Sequence, residues 1–211
     1  MNSLYGKFAT SITGKNQIPY QKEDGSIGYL ISPEEDRKGL YVPMGAFITS
    51  YARRKTIETS QAIKTYSINK YGVDLYCYSD TDSIHTLLPI EELKQFCDID
   101  DVELGKWKHE ATFQKAKFVR QKCYVEVIDD QIQVTCAGLP KKCLYKKKDD
   151  NNLYYETYDN KLHKVEKSFK LKDFKIGFIA CGKLTFKHVK GGVILVETDF
   201  SIKEKLLRME N

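Results

Sequence analysis

The sequence predicts an α+β fold in which an antiparallel sheet is backed by a long helix, with an inserted β-hairpin and a small β-rich C-terminal region. Three observations lead there. Residues 44–70 contain no proline, and Phe47, Ile48, Tyr51, Ala52, Ala62, Ile63 and Tyr66 recur near helical spacing. That stretch runs straight into Val73, Leu75 and Cys77, which alternate as a strand does, turn near Asp80–Asp82, and resume alternation at Ile84, Thr86 and Leu88. Two further pairs of alternating runs flank Asp24-Gly25 and Asp129-Asp130. A helix feeding directly into a hairpin packs on the back of the sheet that the hairpin forms.

In chain order, Gly6 reads as a helix end. Residues 18–31 form a hairpin closed by Asp24-Gly25, with a type I′ turn expected because both central positions of that turn want positive φ. Residues 33–39 are a polar loop, so the hairpin projects between two regular elements. Pro43 suits the first turn of the long helix, and Lys70 followed by Gly72 suits its end. Residues 89–94 are a short helix, and 104–120 are mixed, with Trp107, Phe113 and Phe118 as core anchors. A strand over 121–128 places Lys122 and Tyr124 on one face, and residues 131–136 return as its partner. Later come a segment packed by Phe174 and Phe178, an apolar strand at Val193–Val196, and a helical or frayed tail from Lys203.

Bulk properties narrow the function classes. A chain of 211 residues buries a real core. No apolar run reaches the 18 residues of a membrane-spanning helix, and no secretory signal opens the sequence. Six cysteines without a Cys-x-x-Cys pair suggest neither a zinc site nor a disulfide framework; they suit buried small hydrophobes in a reducing compartment. The net charge of +5 is unevenly placed. Between Lys141 and Lys190 there are 14 lysines against six acids. A basic region in the same chain as a carboxylate pair suits a polyanionic partner, although lysine-rich surfaces are also simply solvated.

Asp80 and Asp82, at the tip of a hairpin, carry the sharpest chemistry. Two hard oxygen ligands on a rigid turn suit Mg²⁺, which takes one or two carboxylates and keeps its remaining positions for water and phosphate. Aspartate and serine also favour turns for local hydrogen-bonding reasons, so an ordinary Asx-rich turn stands beside that reading. Lys122 and Tyr124 suit a nucleic-acid backbone, with ammonium on phosphate and ring on sugar or base. A routine Lys/Tyr pair on an edge strand is the alternative.

Three stretches occur in order: Asn-Ser-Leu-Tyr-Gly at 2–6, Tyr-Ser-Asp-Thr-Asp-Ser at 78–83 and Lys-Cys-Tyr at 122–124. Together they resemble the nucleotide-binding, metal-binding and primer-binding motifs of the family B DNA polymerases. The protein-primed branch, found in small tailed phages and linear plasmids, is the more similar one. Residues 104–110, 174–178, 191–196 and 198–200 also resemble that branch, and the hairpin at 18–31 sits where its members insert a second terminal-protein region. Residues 149–167, roughly, are extra length in the thumb.

The resemblance implies the end of a fingers helix at 1–9, an inserted arm at 10–42, the C-terminal part of a palm at 43–137 and a thumb at 138–211. It implies Asp80 and Asp82 as the catalytic, metal-binding carboxylates, with Asp82 the direct ligand in a two-metal Mg²⁺ site. Asn2, Ser3, Tyr5 and Gly6 would line the incoming nucleotide, and Lys122 and Tyr124 would hold the primer terminus. The implied partners are template-primer DNA, deoxynucleoside triphosphates, a terminal-protein primer and the N-terminal half of the polymerase, with no membrane. The implied setting is the cytoplasm of a host cell. The family's Asp-x-x-Ser-Leu-Tyr-Pro motif, its exonuclease region and the phosphate-gripping lysine ahead of Asn2 are not in this sequence. The expectation is therefore a C-terminal palm–thumb portion that does not polymerise alone. A DNA-binding accessory module that no longer catalyses is the alternative.

Overall fold

The computed structural model describes residues 6, 8–11, 13–36, 41–148, 150–159, 163–190 and 192–204. The fold is α+β with antiparallel sheets, and it divides into two compact units: residues 1–109 with 190–192, and residues 110–189 with 193–211.

The first unit opens with the predicted arm. Strands β1 (Thr13–Gly14) and β4 (Glu35–Asp36) pair at its base, and β2 (Gln17–Gln21) pairs antiparallel with β3 (Ile27–Ile31). The loop is not the type I′ turn expected. Among Glu23, Asp24 and Gly25 only Gly25 has positive φ (77°). The Gly25 N–H donates to Lys22 O (2.9 Å), and the Lys22 N–H donates to Ser26 O (2.8 Å). This is the three-residue loop in which a left-handed glycine follows a tight turn. The Asp24 carboxylate accepts from the Ser26 N–H and hydroxyl, which holds its pKa below the ordinary value. Both faces of the arm are exposed, so Ile18, Tyr29, Leu30 and Ile31 meet solvent.

Helix α1 (Val42–Tyr71) matches the predicted stretch, with Pro43 in its first turn. Gly72 ends it in the left-handed conformation (φ 73°), donating its N–H to Ile68 O (2.9 Å). Its packed face differs from expectation. Phe47 and Tyr51 are more than half exposed, and the buried stripe is Gly45, Thr56, Ile63 and Ser67. Small and hydroxyl side chains let the β5 (Tyr76–Asp80) and β6 (Ser83–Thr86) hairpin approach the helix backbone closely. The short helix α2 (Ile90–Leu93) follows as predicted. Trp107 is half-buried; its indole N–H donates to Thr59 Oγ1 (3.2 Å), and the Lys55 ammonium lies 5.2 Å from its ring centre. It clasps a loop to α1 and does not anchor a core.

The second unit holds three sheets. Strands β7 (Lys115–Arg120), β8 (Cys123–Ile128) and β9 (Gln131–Cys136) form an antiparallel meander. Strands β10 (Tyr145–Lys146), β11 (Leu153–Tyr158) and β12 (Lys164–Ser168) form a second, also antiparallel. The long strands β13 (Ile179–Val189) and β14 (Gly192–Ser201) pair as a third. The core is aromatic. Tyr155, Phe169, Phe174, Phe178 and Phe200 are buried with Val125 and Ile202, and Tyr155 and Phe178 lie 5.0 Å apart between ring centres. Phe113 and Phe118 are only half-buried, and neither belongs to this core or packs against it, so they are not the core anchors expected. Each buried phenylalanine contributes about 1.5–3 kcal/mol of transfer free energy. The predicted apolar strand Val193–Val196 lies in β14, where Val193, Ile194 and Leu195 are exposed. No described helix is long and apolar enough to cross a membrane. All six cysteines are free thiols; Cys97, Cys123, Cys143 and Cys181 are buried, and Cys77 and Cys136 are half-buried.

Candidate active site

The β5–β6 hairpin begins irregularly. Tyr76 pairs with Thr86 but Tyr78 pairs with His85, so Cys77 is an extra residue in β5. A bulge bends its strand and increases the local twist, which re-aims everything beyond it. Burial pushes the Cys77 thiol up from its ordinary pKa. Past the bulge, Tyr78 and His85 face each other with ring centres 5.6 Å apart, and Asp80 pairs with Ser83 around the two-residue turn Thr81–Asp82.

Asp80 is therefore the last residue of β5, and Asp82 lies in the turn. Strand alternation does not extend across that turn, so the turn itself orients the two carboxylates. Thr81 has φ 46°. A β-branched residue in the left-handed region is strained by about 1–3 kcal/mol, and such strain persists only where the surroundings over-determine it. Here they do. The Asp82 N–H donates back to Asp80 O (2.5 Å), the Ser83 hydroxyl donates to the same carbonyl (3.1 Å), and the Thr81 hydroxyl donates to Asp80 Oδ1 (3.0 Å). From the helix, the buried Thr56 hydroxyl lies 3.0 Å from Thr81 O and 3.1 Å from Ala52 O. A second fastening is Ser67, fully buried, whose hydroxyl accepts the Leu75 N–H (3.2 Å) and donates to Lys64 O (3.0 Å). The carboxylate tip is thus pinned to α1 by hydroxyl groups. Asp80 is half-buried and Asp82 exposed.

No cluster of three or more His, Cys, Asp or Glu side chains suited to a metal ion occurs among the described residues. What the tip offers is two carboxylates on one turn. That donor set fits a divalent cation that takes the rest of its ligands from water and phosphate, and it does not make a closed protein cage.

The β7–β8 hairpin presents the other pair. Phe118 faces Tyr124 and Arg120 faces Cys123, so Val119 is an extra residue, and Gln121–Lys122 form the turn. Lys122 does not share a strand face with Tyr124, as the alternation predicts; it occupies the turn with φ 56°, and β8 begins at Cys123. Its carbonyl accepts the Ala137 N–H (2.7 Å), which ties the turn to the end of β9. Tyr124 packs against Phe118 with ring centres 5.6 Å apart. The half-buried Cys136 thiol faces Cys123 across the sheet, and burial first, then that neighbour, push its pKa up to about 12.

The structure thus brings Asp80 and Asp82 onto one turn of the first unit, and Lys122 and Tyr124 into one hairpin of the second. Gly6 has helical backbone, and its carbonyl accepts the Thr10 hydroxyl. Asn2, Ser3 and Tyr5 lie outside the described residues. Thr56 and Ser67 are positioning residues that sequence reasoning missed, because a hydroxyl in a helix carries no periodic signal.

Comparison with known proteins agrees with these motifs. Residues 1–93 match the family described as DNA polymerase type B, organellar and viral. The DNA polymerase of Bacillus phage Nf is 38% identical over 96% of this chain and 33% of its own length; that of Bacillus phage phi29 is 36% identical with the same coverage. The phi29 DNA polymerase complexed with primer-template DNA and incoming nucleotide superposes with a TM-score of 0.66 at 34% identity, covering 96% of this chain and 33% of that one. The chain spans about a third of the length of these relatives. Over that third, matching the C-terminal part of the phage enzymes, it belongs to the protein-primed family B DNA polymerases.

Proposed function

We propose that this chain is the palm and thumb portion of a DNA-directed DNA polymerase, which joins deoxynucleotides to a primer on a template strand. The observation that carries the reading is the pinned, strained Thr81 turn holding Asp80 and Asp82. Phosphoryl transfer needs little covalent help; positioning and charge stabilisation do most of it. Mg²⁺ bound there would activate the primer hydroxyl and stabilise the leaving pyrophosphate. Asp80 and Asp82 are assigned as its ligands, Lys122 and Tyr124 as the groups that hold the primer strand, and Asn2, Ser3, Tyr5 and Gly6 as the nucleotide-facing set. The subdomain limits 1–9, 10–42, 43–137 and 138–211 belong to the same proposal.

The chain spans a third of its relatives, so the proposal includes a partner: the polymerase region they carry and this chain does not match. That partner supplies the remaining metal-facing carboxylate. A terminal protein as primer, and replication in a host cytoplasm, complete the reading. The test is primer extension with Mg²⁺ in an enzyme reconstituted from both parts. Asp82→Ala lowers incorporation by at least about 10²–10³-fold, the scale for losing one electrostatic stabiliser, while salt-dependent DNA binding persists. Parental extension by Asp82→Ala overturns the assignment, and extension by the 211-residue chain alone overturns the need for a partner.

A further inference from the structure

Two of the six thiols are brought together by the meander of the second unit. Cys123 opens β8, Cys136 closes β9, and the antiparallel register sets them directly opposite each other. No other strand pair among the described residues holds two cysteines. The Ala137 N–H donates to Lys122 O (2.7 Å), which makes the next pair along, Cys123 and Cys136, a non-hydrogen-bonded one. Such pairs are the closer kind, with Cα atoms about 4.5 Å apart, inside the span of roughly 4.4–6.8 Å that a disulfide bridges. The two thiols already lie within hydrogen-bonding reach of each other.

Access to the pair is one-sided. Cys123 has no exposed surface, whereas Cys136 is half-buried and lines an open recess beside Leu139, Pro140 and Lys141. A reagent in solution therefore meets Cys136 first. Burial, more than any neighbour, keeps the Cys136 thiol protonated, and the charge of Arg120, opposite Cys123 on the β7 side, works against it without cancelling it. The thiolate, which is the attacking form, is accordingly scarce at neutral pH. The pair rests as a dithiol and exchanges slowly.

From this geometry we infer that Cys123 and Cys136 form a reversible intrachain disulfide, a modification site closed by low-molecular-weight disulfides. Cys136 Sγ, as the thiolate, attacks one sulfur of the reagent, forms a mixed disulfide and releases one thiolate. Cys123 Sγ then attacks Cys136 Sγ, closes the protein disulfide and releases the second thiolate. The two cysteine protons go to those two leaving groups, so the protein is oxidised by two electrons and the reagent is reduced to two thiols. An excess of dithiol reverses both steps. Closure fastens β8 to β9 immediately behind Lys122, whose carbonyl is already tied to Ala137. Oxidation thus acts directly on the hairpin that carries Lys122 and Tyr124, by fixing its register with a covalent bond.

The experiment incubates the full 211-residue chain with 2-hydroxyethyl disulfide at about pH 8.5, quenches in acid, and reads the intact mass and then the linked peptides after denaturation and alkylation. The expected product is a monomer lighter by about 2 Da, with Cys123 joined to Cys136 and two alkylatable thiols fewer than the six of the reduced chain. Dithiothreitol restores the parental mass. Cys123→Ala removes the resolving thiol, so it stops at the mixed disulfide on Cys136 and gains about 76 Da. Cys136→Ser gains no adduct at the buried Cys123 and keeps its mass. A parental chain that retains all six thiols, or that stops at the mixed disulfide, overturns the inference. Linkage to any other cysteine, a disulfide between two chains, or closure that persists in Cys136→Ser does the same. Cys123 is fully buried, so should Cys123→Ala unfold, the linkage map of the parental chain and the half-buried Cys136→Ser still decide. No nucleotide incorporation is read, so each of these outcomes is separable from that of Asp82→Ala.

Discussion

Replacing Thr56 with valine tests whether the carboxylate tip is held from the helix. Valine keeps the β-branched shape and has nearly the same helix propensity, so the helix itself is little affected. What is lost is the hydroxyl, 3.0 Å from Thr81 O and 3.1 Å from Ala52 O in a side chain that is 8% exposed. The single hydroxyl proton serves one of these carbonyls at a time. Ala52 O keeps its helical partner, whereas Thr81 O, in an exposed turn, must turn to water. An internal hydrogen bond of this kind contributes about 1 kcal/mol net. That corresponds to about fivefold in the opening equilibrium of the turn. Hydrogen exchange at the Asp82 amide, which donates to Asp80 O, is therefore expected to quicken about fivefold in Thr56→Val and to stay near parental in Thr56→Ser, which keeps the hydroxyl. In a reconstituted polymerase, Thr56→Val lowers kcat more than it raises KM. Parental exchange at Asp82 in Thr56→Val would show that the turn holds its strained shape without the helix, and the positioning argument would fail.

Two further predictions concern the second unit. Phe174→Ala removes a ring with no exposure from the aromatic core, so chemical denaturation should show about 3–5 kcal/mol lost, with Phe174→Leu costing far less. The Tyr145 hydroxyl donates to Glu166 (2.6 Å), and that bond first, then burial, push its pKa up to about 12. The proton is held more tightly in the folded chain, so this contribution to stability is complete below pH about 10 and disappears between about 10 and 12. NMR titration of ring-labelled tyrosine should show Tyr145 ionising late, and Glu166→Gln should bring it back toward the ordinary value.

Element types were legible where a period and its punctuation agree. Pro43, Lys70 and Gly72 bracket α1 because fixed φ, end charge and left-handed backbone are residue-level properties. The Asp80–Asp82 hairpin was legible for a similar reason, since alternation on both sides brackets a turn. Irregularities were not. The extra residues Cys77 and Val119 shift the pairing without any residue type that announces a bulge, and Val119 helps move Lys122 off the strand. Tertiary context also decided burial. Phe47 and Tyr51 satisfy the helical period yet face solvent, because α1 meets the hairpin through Thr56, Ile63 and Ser67. β7 was missed because Lys115, Lys117 and Arg120 dilute its alternation. The carboxylate pair was readable as chemistry, while its pinning hydroxyls became visible only in three dimensions.

The meander of the second unit separates what its two turns can tolerate. At one end of β8 lies Lys122, and at the other Asp129 and Asp130, both left-handed with φ 49° and 60°. Six strand residues put the two turns about 20 Å apart. The Asp129–Asp130 turn is the two-residue kind that Asn-Gly fits best, so two like charges are being held in a backbone region they only tolerate. An Asn-Gly pair in that turn relieves about 1 kcal/mol of left-handed strain, keeps the backbone N–H at position 130 that donates to Gln114 Oε1 (3.2 Å), and lies at the opposite end of β8 from Lys122.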